Sequence, residues 1–391
     1  MIRSTIDYAR SFAHGLIDPQ ARALLRAHRS PWAGSFVGDP QAALRSAVGY
    51  LLRAQQQGTD AGMGSYHLVR GWGASYPETT GYAIPTLIEA GKQLNWHGPL
   101  EAAQRAADWL LTIQHADGGW QGGRIGEERP SIVFNTAQVM RGLLAQYEQS
   151  KEDRYRAAAA RAADWIMRVQ DRDGAWRSSN FLGVARVYDT YVDAPLLRLH
   201  VLTGDPRSRE AALRNLEWVR GQREPNGWFA NCDNTVRHND RPITHTIAYT
   251  LDGLLECGSI LSDPSLVELA IPASLKLADL FLEHGTLHAR YDRRWQGSEF
   301  PIMTGCAQLA IVWHELYELT RLQTYGQAYT RMVQLLMAAQ ARSAKGPEAI
   351  HGAMPGSYPI WGRYEKFAFP NWATKYMADA LLCSRVALTS S

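Results

Sequence analysis

EAAQRAADWLLTIQHADGGW, residues 101–120, decides the fold because it is not alone. YRAAAARAADWIMRVQDRDGAW at 155–176 and REAALRNLEWVRGQREPNGW at 209–228 repeat its pattern. Each is an Ala-bearing helix with Leu, Ile, Met or Val at its other apolar positions and a Gln near its end, then a breaker containing Gly, then a Trp. Further helices of the same kind start near Gln41, Leu266 and Ala328. Their apolar residues recur at three and four positions, with Arg, Glu and Gln on the other face, as in an amphipathic surface helix. The Gly ends each helix by permitting a left-handed cap.

A second set of helices alternates with the first. It reads PETTGYAIPTLIEAG from Pro77, FNTAQVMRGLLAQY from Phe134, YDTYVDAPLLRLH from Tyr188, THTIAYTLDGLLECG from Thr244, MTGCAQLAIVWHELYELT from Met303 and FPNWATKYMADALLCS from Phe369. These are apolar around most of their circumference, which marks a buried helix. A unit recurring six times, at roughly 55 to 65 residues, predicts repeat architecture before any single residue is considered. The expected fold is all-α: a closed ring with six surface helices outside and six buried helices inside. The polar residues of the inner set cluster in their first two turns, and Thr79, Thr136, Thr190, Thr246 and Thr304 mark nearly the same point. One face of the ring therefore collects polar helix openings and is the expected place for a site, although residues of this type also serve as caps. Residues 1–40 read as a helical extension broken near Asp18-Pro19, and residues 41–391 as one toroidal domain.

Lys and Arg number 41 against 38 Asp and Glu, a formal charge of +3, so nucleic acid is not an expected partner. The four Cys (Cys232, Cys257, Cys306 and Cys383) form no CxxC pair, and neither a metal site nor a cofactor is expected. No stretch approaches 18 apolar residues, so no membrane span is expected. With Arg3, Asp7 and Arg10 in place of an apolar signal core, the expected location is cytoplasmic.

The HADGGW and DRDGAW segments look like the repeats of the squalene-cyclase group. The six-hairpin pattern as a whole resembles the (α/α)6 toroids. That group holds squalene and terpene cyclases, prenyltransferases, polysaccharide lyases, unsaturated-uronyl hydrolases and uronyl C5-epimerases. SYPETTGYAIPTL, VFNTAQVMRGLL, NGWFANC, THTIAYTLDGLLE and GSYPIWGRY with FPNWATKY are similar to a stand-alone bacterial group associated with polysaccharide biosynthesis. The resemblance implies the toroid, a glycan substrate and a link to polysaccharide-synthesis machinery. It departs from the cyclases in lacking their D-x-D-D acid. The nearest carboxylate pair is Asp189 with Asp193.

Asp189 and Asp193 lie one turn apart on a buried helix, where carboxylates are costly unless paired or used. They are candidates for an acid/base pair, with an N-cap role for Asp189 as the structural alternative. Glu78 opens the first inner helix and can serve as a general acid if burial raises its pKa, or simply complement the helix dipole. His245 and Tyr249 share a helix face and suit proton transfer, unless the His is a satisfied core residue. The catalytic candidates are thus Asp189, Asp193, Glu78, His245 and Tyr249. Tyr82, Asn135, Gln138, Tyr191, Gln308 and Asn371 are candidate readers of sugar hydroxyls, or alternatively helix–helix hydrogen bonds. Lys375 and Arg363 are candidates to neutralise a substrate carboxylate, and Lys375 can equally pair with Asp379. Trp72, Trp295, Trp361 and Tyr364 are candidate stacking platforms. Trp120, Trp176 and Trp228 are read instead as repeat packing. The loop from Ala341 to Phe369 is the largest insertion and a candidate lid.

A carbohydrate-active enzyme on an acidic bacterial glycan is the expected function. Hydrolysis is favoured by a small margin over uronyl epimerisation or elimination. A terpenoid cyclase and a non-catalytic glycan-binding partner are the rivals.

Overall fold

The computed structural model describes residues 2–30 and 38–388. Two short helices lead, α1 (Ile2–Ile17) and α2 (Pro19–Ala27). The outer helices are α3 (Pro40–Gln56), α5 (His97–Thr112), α7 (Asp153–Arg168), α9 (Pro206–Arg220), α11 (Pro264–His284) and α13 (Gln323–Ser343). The inner helices are α4 (Pro77–Gln93), α6 (Val133–Ser150), α8 (Thr190–Thr203), α10 (Thr244–Leu261), α12 (Met303–Thr320) and α14 (Asn371–Leu388). Each inner helix packs on the next and α14 packs on α4, so the ring closes. This is the all-α (α/α)6 toroid. Among the described residues, no helix is long and apolar enough to cross a membrane.

The hairpins are phased differently from the reading by repeat unit. Each outer helix packs chiefly on the inner helix that precedes it, and α3 packs on α14. Turns of two or three residues, such as Lys151-Glu152 and Gly204-Asp205, allow no other partner. The long Gly-aromatic loops run the other way, from outer to inner helix, and form one rim. Several outer helices start at an Asp-Pro pair. Asp39, Asp205 and Asp263 each accept the backbone N–H two residues on, and the Pro needs no donor.

Two hydrogen-bond staples recur and explain the repeated letters. The terminal Gln side chain bonds its own loop and the next outer helix. Gln55 donates to Ala61 and Ala102, Gln114 to Gly118 and Ala158, Gln170 to Gly174 and Ala211, and Gln340 to Gly352 and Ala43. The last of these joins the end of the ring to its beginning. The Trp indole N–H then caps a carbonyl of its own helix, Trp120 to Leu110 and Trp176 to Ile166, both at 2.9 Å. Trp228 breaks ranks and donates to Tyr291. Trp120 and Trp176 have no exposed surface.

The inner helices α4, α6, α10 and α12 start without a side-chain cap. For α6, α10 and α12, the first backbone N–H is taken by a carbonyl of a neighbouring loop. Val133 donates to Ser179, Thr244 to Ala289 and Met303 to Gly356. The threonines at this level hold loops or neighbouring backbone. Thr136 accepts the Trp120 N–H, Thr80 that of Met63 and Thr374 that of Met354. The rim is thus an interlocked ring of loops. Its ends are joined by an antiparallel sheet in which β1 (Tyr66–His67) lies between β2 (Gly71–Trp72) and β5 (Ala368–Phe369). A second ribbon pairs β3 (Arg290–Tyr291) with β4 (Gly297–Ser298). Close approach of α4 and α6 requires glycine: a Cβ on Gly81 would stand 2.5 Å from the Val139 Cα.

Helix α1 ends before Asp18, which caps α2 as the Asp18-Pro19 break predicts. Tyr8 and Phe12 pack on Phe367, and Phe12 also on Trp361. The leading helices therefore brace the long loop between α13 and α14.

Candidate active site

A cleft of about 540 Å³ opens at the rim where the inner helices begin. Helix α4 and its leading residue give it Tyr76, Glu78 and Tyr82, α6 gives Phe134 and Asn135, and α10 gives His245 and Tyr249. Trp372 of α14 and Tyr188 ahead of α8 complete the wall. Loops add Arg124, Asn234, Tyr364 and Glu365.

Glu78 is the best-positioned acid. The Asn135 amide donates to its Oε2 at 2.6 Å and also reaches the Tyr76 hydroxyl at 3.2 Å. Burial pushes the Glu78 carboxyl up to about 7, and the Tyr76 hydrogen bond only partly offsets this. Near neutrality this group holds or releases a proton readily. Glu127 and Glu365 are the other carboxyls of the cleft, Glu127 paired with Arg129 at 2.9 Å and Glu365 the more deeply placed in electrostatic terms. Burial raises Glu365, while the charges of Arg124 and Arg70 pull it back. Arg124 makes no ion pair among the described residues, and it faces the same space.

His245 sits over Tyr249, ring centroids 4.5 Å apart, and its Nδ1 meets the Gln308 Oε1 at 2.6 Å. That carbonyl oxygen is an acceptor only, so Nδ1 carries the proton and Nε2 is left as a free base. Burial lowers the His245 pKa to about 4. We expect the ring to stay neutral from pH 5 to 8. Nitrogen-15 shifts of the imidazole across a pH series check this, and titration near the ordinary value of 6.5 would refute it.

The other residues singled out from the sequence are placed as follows. Asp189 and Asp193 are fully buried behind the wall and do not line the cleft. Asn180 donates to Asp189 at 2.7 Å, whereas neither oxygen of Asp193 has a partner. Burial raises both carboxyls well above the ordinary value, disfavouring their charged forms. Gln138 donates to the Tyr191 carbonyl, and Asn371 to those of Met63 and Gly64. Trp72 stacks on Tyr50, and Trp295 donates to the Asn226 carbonyl. Trp361 and Arg363 lie outside the cleft, Arg363 paired with Glu299 at 2.9 Å. Lys375 and Tyr191 point to the opposite end of the ring, Lys375 paired with Asp379 at 2.7 Å. Tyr82, Asn135, Tyr364, Glu78, His245 and Tyr249 are the ones the fold gathers into the cleft. Arg124 and Glu365 escaped the sequence reading because they lie in irregular loops without periodicity. The length of the insertion between α13 and α14 was the one signal for Glu365, and Arg124 had none.

No protein-family model matches the chain. Over 159 residues, 39% of the chain, it is 31% identical to squalene–hopene cyclase of Zymomonas mobilis subsp. mobilis. Over 156 residues it is 28% identical to a probable squalene–hopene cyclase of Sinorhizobium fredii. The matches span only 21% and 22% of those relatives. Among solved structures, unsaturated glucuronyl hydrolase from Bacillus sp. GL1 superposes with a TM-score of 0.68 at 17% identity, covering 90% of this chain and 98% of its own. Cellobiose 2-epimerase from Spirochaeta thermophila gives 0.68 at 16% identity, covering 90% and 97%. A polysaccharide lyase gives 0.63 at 14% identity, covering 90% and 99%. The chain shares the toroid of six-hairpin glycosidases, epimerases and lyases along nearly its whole length.

Proposed function

We propose that this protein is a carbohydrate-active enzyme that hydrolyses an acidic bacterial glycan, with Glu78 as the proton donor. The observation that carries the reading is Glu78 itself. It is a carboxyl at the helix-opening rim, oriented by Asn135 and Tyr76 and raised to about 7. The likeness in fold to glycan-processing enzymes supports the class.

In the proposed step, Glu78 gives its proton to the glycosidic oxygen as the C–O bond to the anomeric carbon breaks. Water adds its oxygen to that carbon, and its proton passes to a carboxylate. Glu365 is the carboxylate at hand for this, since Glu127, which also lines the cleft, is paired with Arg129. Arg124 would bind a uronate carboxylate, and Tyr249, Tyr364 and Trp372 supply stacking faces. We assign the activity to polysaccharide biosynthesis in the cytoplasm. We read residues 1–40 as an extension bracing the toroid formed by residues 41–391.

The test is a panel of acidic and neutral oligosaccharides, read by mass spectrometry in isotopically labelled water. Two fragments with one labelled oxygen, absent with Glu78→Gln, support hydrolysis. Cleavage without water would mean elimination. One deuteron taken up from heavy water without cleavage would mean epimerisation. Binding without turnover would make the protein a glycan-binding partner.

A second reading rests on the cleft's aromatic character. Tyr82, Phe134, Tyr188, Tyr249, Tyr364 and Trp372 surround one strongly raised acid, and the partial sequence match is to cyclases of isoprenoids. Saturable binding of an isoprenoid ammonium analogue, with no response to any glycan, would favour it.

A further inference from the structure

The ring has a second cavity, about 730 Å³, at the end away from the rim. Helix α10 runs from one to the other. His245 and Tyr249 line the cleft, while Asp252 and Glu256, further along, line this cavity. A layer of tyrosines separates the two spaces. Tyr249 touches Tyr191 at 4.7 Å between centroids, and the Tyr191 and Tyr376 hydroxyls are 3.4 Å apart. The second cavity is therefore a separate compartment and not an extension of the candidate active site.

Its charges do not balance locally. Arg141 grips both oxygens of Glu256, at 2.9 and 2.7 Å, and lies 4.2 Å over the Tyr191 ring. Asp379 takes Lys375 at 2.7 Å and the Thr86 hydroxyl at 2.6 Å. Arg198, the third cation of the lining, pairs with Glu148, so all three are committed to carboxylates of their own. Asp252 and Glu315 remain, with no hydrogen bond or ion pair among the described residues. Asp252 is only 9% exposed, yet it borders the open space. A buried polar group without a partner costs free energy that a ligand can recover. Burial and the neighbouring Glu256 carboxylate drive both groups towards the protonated form, and Arg141 and Lys375 offset this only in part at Asp252.

We propose that this cavity binds an organic ammonium ligand, a primary amine about the size of an amino sugar or a short polyamine. The amine would sit between Asp252 and Glu315, whereas the Tyr191 and Tyr376 rings are already covered by Arg141 and Lys375. A bare metal ion fits poorly: the described residues contain no cluster able to hold one, and the volume suits a molecule of several heavy atoms. The inference stands independently of the hydrolase reading, since it uses none of the cleft residues.

Calorimetry with glucosamine, putrescine and the neutral N-acetylglucosamine tests it. The amines should bind and the acetylated sugar should not. Loss of one charge-assisted contact in Asp252→Asn should weaken binding about tenfold or more. Glu315→Gln is a second variant in case the first folds poorly, and it should weaken binding likewise. Glu78→Gln should leave it unchanged. Absence of binding by either amine, equal binding of the acetylated sugar, or undiminished binding in folded Asp252→Asn and Glu315→Gln proteins would overturn the proposal. Loss of binding in Glu78→Gln would do so too, by moving the amine to the cleft.

Discussion

Glu78→Gln is expected to cut turnover by about 10²–10⁴-fold, the usual contribution of a general acid, and at the same time to make the protein more stable at pH 8. Both effects have one cause. Burial raises the folded-state pKa from 4.5 to about 7, so the folded protein binds a proton that the unfolded chain has already lost. Stability from this group is therefore complete below pH 4.5 and declines as pH rises through about 7. Above that, the wild-type protein carries a poorly solvated carboxylate. The shift corresponds to roughly 3 kcal/mol at most, reduced because Glu78 is only partly buried and water screens it. Glutamine keeps an oxygen to accept from Asn135 but carries no charge at any pH. Melting curves of the two proteins should accordingly separate at pH 8 and converge towards pH 4. A variant that retains turnover would remove Glu78 from the chemistry. A variant less stable than wild type at pH 8 would mean that its ionised form is well accommodated.

The ring was legible because its staples are spelled in the sequence. A Gln that bonds two carbonyls, and a Trp that caps a third, recur with their hydrogen-bond partners in register. The phase of the hairpins was not, since a cyclic repeat can be cut at any point. Only the short turns such as Lys151-Glu152 and the Asp-Pro starts at 39–40, 205–206 and 263–264 disclose it.

The site divided for a related reason. An inner helix is apolar on nearly every side, so its sequence does not say which face looks down the axis. Asp189 and Asp193 share a face, but it is a face turned away from the cleft. Depth is equally silent. An 18-residue helix is about 27 Å long, enough for α10 to place His245 in one cavity and Asp252 in the other. Residues in the first two turns of α4, α6 and α10 line one cleft. Lys375, one turn into α14, fell on the far side of the tyrosine layer.

Trp176→Ala should be among the most destabilising single changes outside the cleft, costing roughly 3–5 kcal/mol. Trp176 has no exposed surface, so its loss opens a cavity that neighbouring helices cannot fill without moving. Its indole N–H also satisfies the Ile166 carbonyl at the end of α7. Around it the Gln170 side chain ties Gly174 of the same loop to Ala211 of α9, and Arg214 reaches back to Gln170 at 2.5 Å. Removing the ring therefore loosens the seam between two outer helices as well as the loop beneath. Trp176→Phe separates the two contributions. It keeps most of the buried ring and leaves one carbonyl unpaired, for about 1–3 kcal/mol. Gln170→Ala combined with Trp176→Phe should be non-additive, because both substitutions act on one loop. Denaturant unfolding of wild type, Trp176→Ala, Trp176→Phe, Gln170→Ala and the double variant measures all of this. If Trp176→Ala cost less than about 1 kcal/mol, which is the range of an ordinary surface change, the recurring Trp would mark the repeat without holding it, and the stability of the ring would have to come from the inner helices alone.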